Sequence, residues 1–176
     1  MTDHGDDNLK EVCLSSSLVL EGGMLRVKRD QVLLPSGNHG QREFILHPGA
    51  VMVIPFLDNG NLLLERQFRY PLNRVFIEFP AGKIDPNEDI LTTGQRELFE
   101  ETGFTAMEWI YIGFQHPCIG YSDEVIYMFI AKGLEAGEAS RDDDEALELF
   151  EASLEECFEM VATHQLTDAK TILGLM

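Results

Sequence analysis

The stretch GKIDPNEDILTTGQRELFEETGF, residues 82–104, decides how the chain is understood. Asp85-Pro86-Asn87-Glu88 offers a capping residue, a proline suited to a first turn and an acid at the positive end of a helix, and Gly103 is a natural stop. A helix is therefore expected from Asp85 or Asn87 to Thr102. At about 100° per residue, Glu101 lies about 40° to one side of Glu97 and Glu100 about 60° to the other, so three carboxylates share one face. They repel one another and cost stability unless a cation compensates, and hard oxygen donors at this spacing suit Mg²⁺ or Mn²⁺. Leu91 and Leu98, about 100 to 120° round from Glu97, add an apolar stripe that would anchor the helix in a core while its acids face a cleft.

On the N-terminal side of this stretch the pattern is that of strands. Leu18–Leu20, Met24–Lys28 and Gln31–Leu34 are expected as three short strands closed by the turn formers of Pro35–Gly40. Such a sheet cannot bury both faces alone and needs a partner, either the rest of the chain or a second subunit. Phe44–Leu46, Ala50–Leu57 and Asn61–Gln67 form a further strand-rich stretch. Within it Asp58-Asn59-Gly60 is expected as a hairpin turn with Asn-Gly at positive φ. Val75–Phe79 is another short strand. Beyond residue 104, Trp109–Gln115, Val125–Ala131 and Leu147–Phe150 are strand-like, and Leu154–Thr163 and Asp168–Leu175 helical. The mixture implies an α+β or α/β sandwich.

Composition bounds the function. The 176 residues carry 13 Lys+Arg against 31 Asp+Glu, a formal charge of −18, and are 44% hydrophobic. One globular domain with a small appendage fits this length, and general disorder does not fit the apolar content. The charge argues against a nonspecific grip on nucleic acid or an anionic membrane, which depends on Lys and Arg. Between residues 135 and 159, 11 acids stand against Arg141 alone, so much of the excess lies in one late segment. A phosphate substrate remains compatible where divalent cations sit between it and carboxylates. The longest apolar run, Ala50–Leu57, is far short of the roughly 20 residues a membrane helix needs, and the start lacks the features of a signal peptide, so a cytoplasmic protein is expected. Residues 1–10 are expected to be disordered. Cys13, Cys118 and Cys157 have no metal-ligand spacing and are expected as reduced thiols in or near the core.

A solvated helix face would explain an ordinary Glu-rich helix, but the whole pattern from Gly82 to Phe104 resembles the Nudix box, G-x5-E-x7-R-E-U-x-E-E-x-G-U with U apolar, at every prescribed position. Seven fixed residue types at a usage of about one in fifteen coincide by chance on the order of one time in 10⁸. The resemblance implies an α/β/α Nudix sandwich with a mixed sheet that hydrolyses a nucleoside diphosphate linked to another group. It implies Mg²⁺, with Mn²⁺ as a substitute and two or three ions per site. Glu97, Glu100, Glu101 and the Ala81 carbonyl would hold the metal, and Arg96 and Glu88 would pair to brace the helix.

The segments REFILHPGAVMVIPF, ERQFRYPLNRVFIEFPAGKID, GYSDE and TDAKTILGL are similar to the ADP-ribose pyrophosphatase branch of that family. This implies a small N-terminal antiparallel β-domain, residues 1–46, exchanged across a homodimer, and a Nudix domain at 47–176. By the same resemblance Arg42 and Glu43 would contact adenosine, with Gly23 and Met24 reaching the adenine from the neighbouring subunit. Arg69 would reach the diphosphate or ribose, Lys83 would also bind substrate, and Gly120 and Glu124 would lie in a loop that closes on it. Two departures stand out. Cys118-Ile119-Gly120 replaces the branch's Ser-Pro-Gly, and Asp142-Asp143-Asp144-Glu145 replaces Asp-Glu-Asp-Glu. Asp143 then falls at the place of the general base and Glu145 at that of a further metal ligand. The expected activity is conversion of ADP-ribose or a close ADP-sugar to AMP and ribose 5-phosphate. The alternatives are another nucleotide sugar such as GDP-mannose, or a non-catalytic ADP-ribose-binding module.

Overall fold

The computed structural model describes residues 5–137 and 146–176, and the chain groups into two units, Met1–His47 with Cys118–Glu124, and Pro48–Pro117 with Val125–Met176. The first unit holds β1 (Val12–Glu21), β2 (Arg26–Leu33) and β3 (His39–Leu46) in one antiparallel sheet of order β1-β2-β3. The two strands expected at 24–28 and 31–34 are thus a single one. Arg29 and Asp30 interrupt its apolar pattern, but they stand opposite Glu43 and Arg42 in the ladder, and opposite charges across strands support pairing where hydrophobicity does not. Phe44–Leu46 is the end of β3. The loop Cys118–Glu124 is tied to it: Tyr121 O accepts from the Ile45 N–H at 2.8 Å, and Asp123 Oδ1 accepts from the His47 N–H at 2.8 Å. Among the described residues of the N-terminal segment, Asp6–Asn8 form a 3-10 turn closed by the Leu9 N–H on Asp6 O.

The second unit begins with β4 (Ala50–Pro55), β5 (Leu62–Arg69), β6 (Arg74–Glu78) and β7 (Ala81–Lys83), followed by α1 (Ile90–Thr102), β8 (Phe104–Gln115) and β9 (Ile126–Ala136). It ends with β10 (Leu147–Ala152), α2 (Leu154–Ala162) and α3 (Ala169–Leu175). A mixed sheet runs β7-β4-β9-β8, with β4 parallel to β9, and an antiparallel sheet runs β10-β5-β6. The apolar run AVMVIP marks a strand buried on both faces. Met52 and Ile54 pack with Leu62, Leu64, Phe79, Leu166 and Leu175, while Val51 and Val53 pack with Leu98 of α1, Phe129 and Ala131.

Asp58-Asn59-Gly60 does not close a regular hairpin. Gly60 takes φ +86° but Asn59 does not take a positive φ, and β4 and β5 share no ladder: beyond the end of β4 one isolated bridge joins Phe56 to Leu62, and the two strands belong to different sheets. The reason is topological: both edges of β4 are taken, one by β7 and the other by β9.

Helix α1 also starts later than expected. Asn87 has φ +68°, which breaks a helical path, and Asp89 is the cap, its Oδ1 accepting from the N–H groups of Leu91 (3.0 Å) and Thr92 (3.1 Å). Such a cap stabilises a helix by about 1 kcal/mol. Gly103 ends it at φ +75°, its N–H donating to Phe99 O. Leu98 is buried, whereas Leu91 of the expected stripe is exposed. The inward face instead carries Thr93, Gly94, Glu97, Leu98, Glu101 and Thr102. Cys157 is buried, but Cys13 is exposed rather than in a core, because β1 is exposed along its whole length. Among the described residues no helix is long and apolar enough to cross a membrane.

Candidate active site

The loop from Ala81 to Asp89 and helix α1 build one constellation within the second unit. Glu97 and Glu101 project from the inward face of α1 and are 9% and 3% exposed. Burying two carboxylates on adjacent turns is costly unless each is met by donors or cations. Glu101 Oε2 accepts from the Ala81 backbone N–H at 3.0 Å. Glu97 lies against Gly82, where a β-carbon would fall 1.9 Å from its carboxylate. The glycine is thus required by space: any side chain at 82 would evict Glu97.

Arg96 is the charge that lets these acids coexist. Its Nε and Nη2 donate to Glu88 Oε1 and Oε2, both at 3.0 Å, and Nη2 also donates to the Lys83 carbonyl at 3.0 Å. Nη1 bridges Glu97 Oε1 at 2.8 Å and Glu100 Oε2 at 2.9 Å. All five N–H donors of the guanidinium are therefore used. Hydrogen bonds from Arg96, aided by those from Thr93 and the Asp85 backbone, hold the Glu88 carboxyl down at about 2. Arg96 is itself raised, above all through its hydrogen bonds with Glu88. The pairing of Arg96 with Glu88 is present, and Arg96 additionally serves Glu97 and Glu100.

The three carboxylates offer the hard oxygen donors a divalent ion takes, and the space that Gly82 leaves for Glu97 fits such a ligand. Among the described residues, however, no three His, Cys, Asp or Glu side chains converge on one point. Arg96 draws Glu97 and Glu100 toward itself and Glu101 turns to Ala81, so the donor set suits the metal while its present geometry suits a guanidinium.

Arg69 and Lys83 lie in the same unit as the helix. Arg69 ends β5 and is held by Glu78 of β6, with Nε to Oε1 at 2.7 Å and Nη2 to Oε2 at 2.8 Å. Its pKa is raised first by this pair and further by the charges of Glu65 and Glu101. Lys83 is exposed and lines a recess with Asp85, Asn87 and Glu88. Arg42, Glu43 and Gly120 lie in the first unit and line a recess there with Phe44, Tyr121 and Ser122. In that recess Arg42 pairs with Glu11, and Glu43 receives Arg29 Nε at 2.6 Å. Glu124 lies 3.7 Å from His47 Nε2. Met24 is exposed, in the turn with Gly23 between β1 and β2. Asp143 and Glu145 lie outside the described residues.

Sequence reasoning missed a second charged group, Glu65, Glu78, Asp168 and Lys170. Glu65 and Glu78 are 1% and 2% exposed and stand opposite each other on β5 and β6. The signal was available, since a lone acid after Leu62-Leu63-Leu64 and another between Ile77 and Phe79 are charges at strand positions next to buried apolar residues.

A family model described as NUDIX domain matches residues 46–173. The ADP-ribose pyrophosphatase of Bacillus subtilis is 36% identical over 170 residues, which cover 96% of this chain and 92% of that protein. The methanol dehydrogenase activator of Bacillus methanolicus is 35% identical over 170 residues, with 94% and 91% covered. The crystal structure of an ADP compounds hydrolase matches with a TM-score of 0.85, covering 94% of this chain and 90% of its own at 22% identity, a likeness of fold. By the match of the domain model over residues 46–173 and the 36% identity over nearly the whole of the B. subtilis protein, the chain belongs to the Nudix hydrolase family.

Proposed function

We propose that the chain hydrolyses the diphosphate of ADP-ribose, or of a close ADP-sugar, to AMP and ribose 5-phosphate. The observation that carries this reading is the seating of Glu97 in the space left by Gly82, beside Glu101 and Ala81. The substrate class follows the likeness to the B. subtilis ADP-ribose pyrophosphatase over nearly the whole chain. Glu97, Glu100, Glu101 and the Ala81 carbonyl would hold two or three Mg²⁺ ions, with Mn²⁺ as a substitute and Glu145 as a further ligand. Bound there, the metal supplies charge neutralisation of the diphosphate and a lowered pKa for an attacking water. Glu88 and Arg96 brace the helix on which these ligands stand. Arg69 and Lys83 are the basic groups of this unit assigned to the diphosphate, and Asp143 is assigned the proton of the attacking water. Arg42 and Glu43, with Gly23 and Met24 of a second copy, are assigned to the nucleoside side, and Gly120 and Glu124 to the loop that closes on the substrate.

The second copy is supported by β1, an edge strand whose Val12, Leu14, Leu18, Val19 and Leu20 are all exposed. An apolar edge of this kind, without a further strand beside it among the described residues, is a site for association. A fully active monomer in sedimentation would exclude a shared site. The catalytic assignment is tested by Glu97→Gln and Glu101→Gln, each of which removes nearly all Mg²⁺-dependent hydrolysis; unaltered rates in both would overturn it.

A further inference from the structure

The C-terminal segment Thr167-Asp168-Ala169-Lys170-Thr171 has no part in the reaction above, yet Lys170 and Thr171 reach Glu78, the last residue of β6, and Phe79 just after it. Thr171 Oγ1 accepts from the Phe79 backbone N–H at 3.0 Å and donates to Asp168 Oδ2 at 2.6 Å. Asp168 Oδ2 also accepts from the Thr171 N–H and from Lys170 Nζ, each at 3.0 Å. Lys170 Nζ makes a second, closer contact with Glu78 Oε2, the oxygen that also receives Arg69 Nη2. One buried carboxylate is thus shared between a lysine of α3 and an arginine of β5.

Glu78 has every reason to lose its charge. Its side chain is 3% exposed, and the buried acid Glu65 stands opposite it. Burial pushes its carboxyl up, but the hydrogen bonds from Arg69 and the charge of Lys170 outweigh this and hold it below the usual carboxylate range. Arg69 differs from both partners in reaching outward. Its side chain is 43% exposed against 13% for Lys170, and Nη1 takes no part in the paired bonds to Glu78. Lys170 is thus the buried partner of the carboxylate and Arg69 the solvent-facing one. Without Lys170, Oε2 loses one of its two donors and the planar pair that fixes the guanidinium loses its anchor.

We infer that Lys170 is a positioning residue: by sharing the Glu78 carboxylate it fixes the guanidinium of Arg69 in the orientation that receives the substrate's diphosphate. This rests on the reading of Arg69 as a diphosphate-binding group. It gives the TDAKT segment a role in substrate binding, exerted through two other side chains and without contact with the substrate.

The test is steady-state hydrolysis of ADP-ribose with Mg²⁺ by the full chain. Loss of one charge-assisted hydrogen bond at the anchor predicts that Lys170→Met raises KM about 10-fold. The kcat stays within about twofold, as expected for a loss of binding common to ground and transition states. Lys170→Arg, which keeps the cation, stays within about threefold of the wild-type KM, and Lys170→Met adds no further rise in an Arg69→Gln background. If Lys170→Met does not fold, Lys170→Gln, which removes the charge and keeps a donor, is measured with the same expectation. A wild-type KM in the Met or Gln variant, or an equal further rise in the Arg69→Gln background, overturns the inference. A wild-type KM in Arg69→Gln itself contradicts the reading of Arg69 beneath it, and absence of hydrolysis by the unaltered chain contradicts the proposed function.

Discussion

Gly82 and Glu97 compete for one volume: a β-carbon on residue 82 would lie 1.9 Å from the Glu97 carboxylate. The first position of the box and its central acid are therefore one structural decision. Gly82→Ala is predicted to displace Glu97 by about 1 Å and to lower kcat/KM about 100-fold or more at saturating Mg²⁺. An alanine variant within threefold of the wild type would show that Glu97 need not sit where it does.

Arg96 joins Glu88, Glu97 and Glu100 through one guanidinium. Its replacement by Met takes the guanidinium from the largely buried Glu88 and Glu97 and should cost on the order of 3 kcal/mol of stability, read from the midpoint of urea unfolding. Glu100, 39% exposed, contributes little of that. Mg²⁺ should recover more stability in the variant than in the wild type, since Glu97 and Glu100, the two proposed metal ligands among its three partners, are then released from the guanidinium. An unchanged midpoint would show that the network carries no weight.

Glu88 gives the pH dependence of the same network. Its folded carboxyl lies at about 2 against an ordinary value of 4.5. A depressed folded pKa stabilises the native state fully above the unfolded value, and this contribution is lost as pH falls from about 4.5 toward about 2. The stability gap between the wild type and Glu88→Gln should therefore be constant above about pH 5 and close below it. A gap that stays constant down to pH 2.5 would contradict the assignment.

How far these relationships could be foreseen depends on how local their causes are. The spacing of Glu88, Arg96, Glu97, Glu100 and Glu101 is visible in the sequence because one helix and one loop carry it. Arg96 and Glu100 stand at ion-pair spacing, four apart on the helix, but the convergence of one guanidinium on Glu88, Glu97 and Glu100 depends on the loop that brings Glu88 back to the helix. The helix starts at Ile90 and not at Asp85 or Asn87 because Asp85 and Asp89 are the same capping residue type and only the left-handed Asn87 separates them. The merging of 24–28 with 31–34 rests on Glu43 and Arg42, more than ten residues away in the chain. The sharing of Glu78 between Arg69 and Lys170 spans 92 residues and leaves no periodic trace.

Asp143 and Glu145 are separable by kinetics. Asp143→Asn should lower kcat about 100-fold or more with metal binding retained, as expected when a general base is removed. Glu145→Gln should instead raise the Mg²⁺ concentration needed for half-maximal rate. If Asp143→Asn kept full turnover and Glu145→Gln lost it, the two roles would be reversed.

The central claim is the identity of the bond and the sugar nucleotide, and one measurement addresses it. The purified chain is given ADP-ribose, GDP-mannose, dinucleoside polyphosphates and NADH, each with and without Mg²⁺, and the products are identified. The account predicts that ADP-ribose is cleaved fastest, only with metal, and yields AMP and ribose 5-phosphate. Faster cleavage of GDP-mannose, or undiminished cleavage after the metal is chelated, would contradict it.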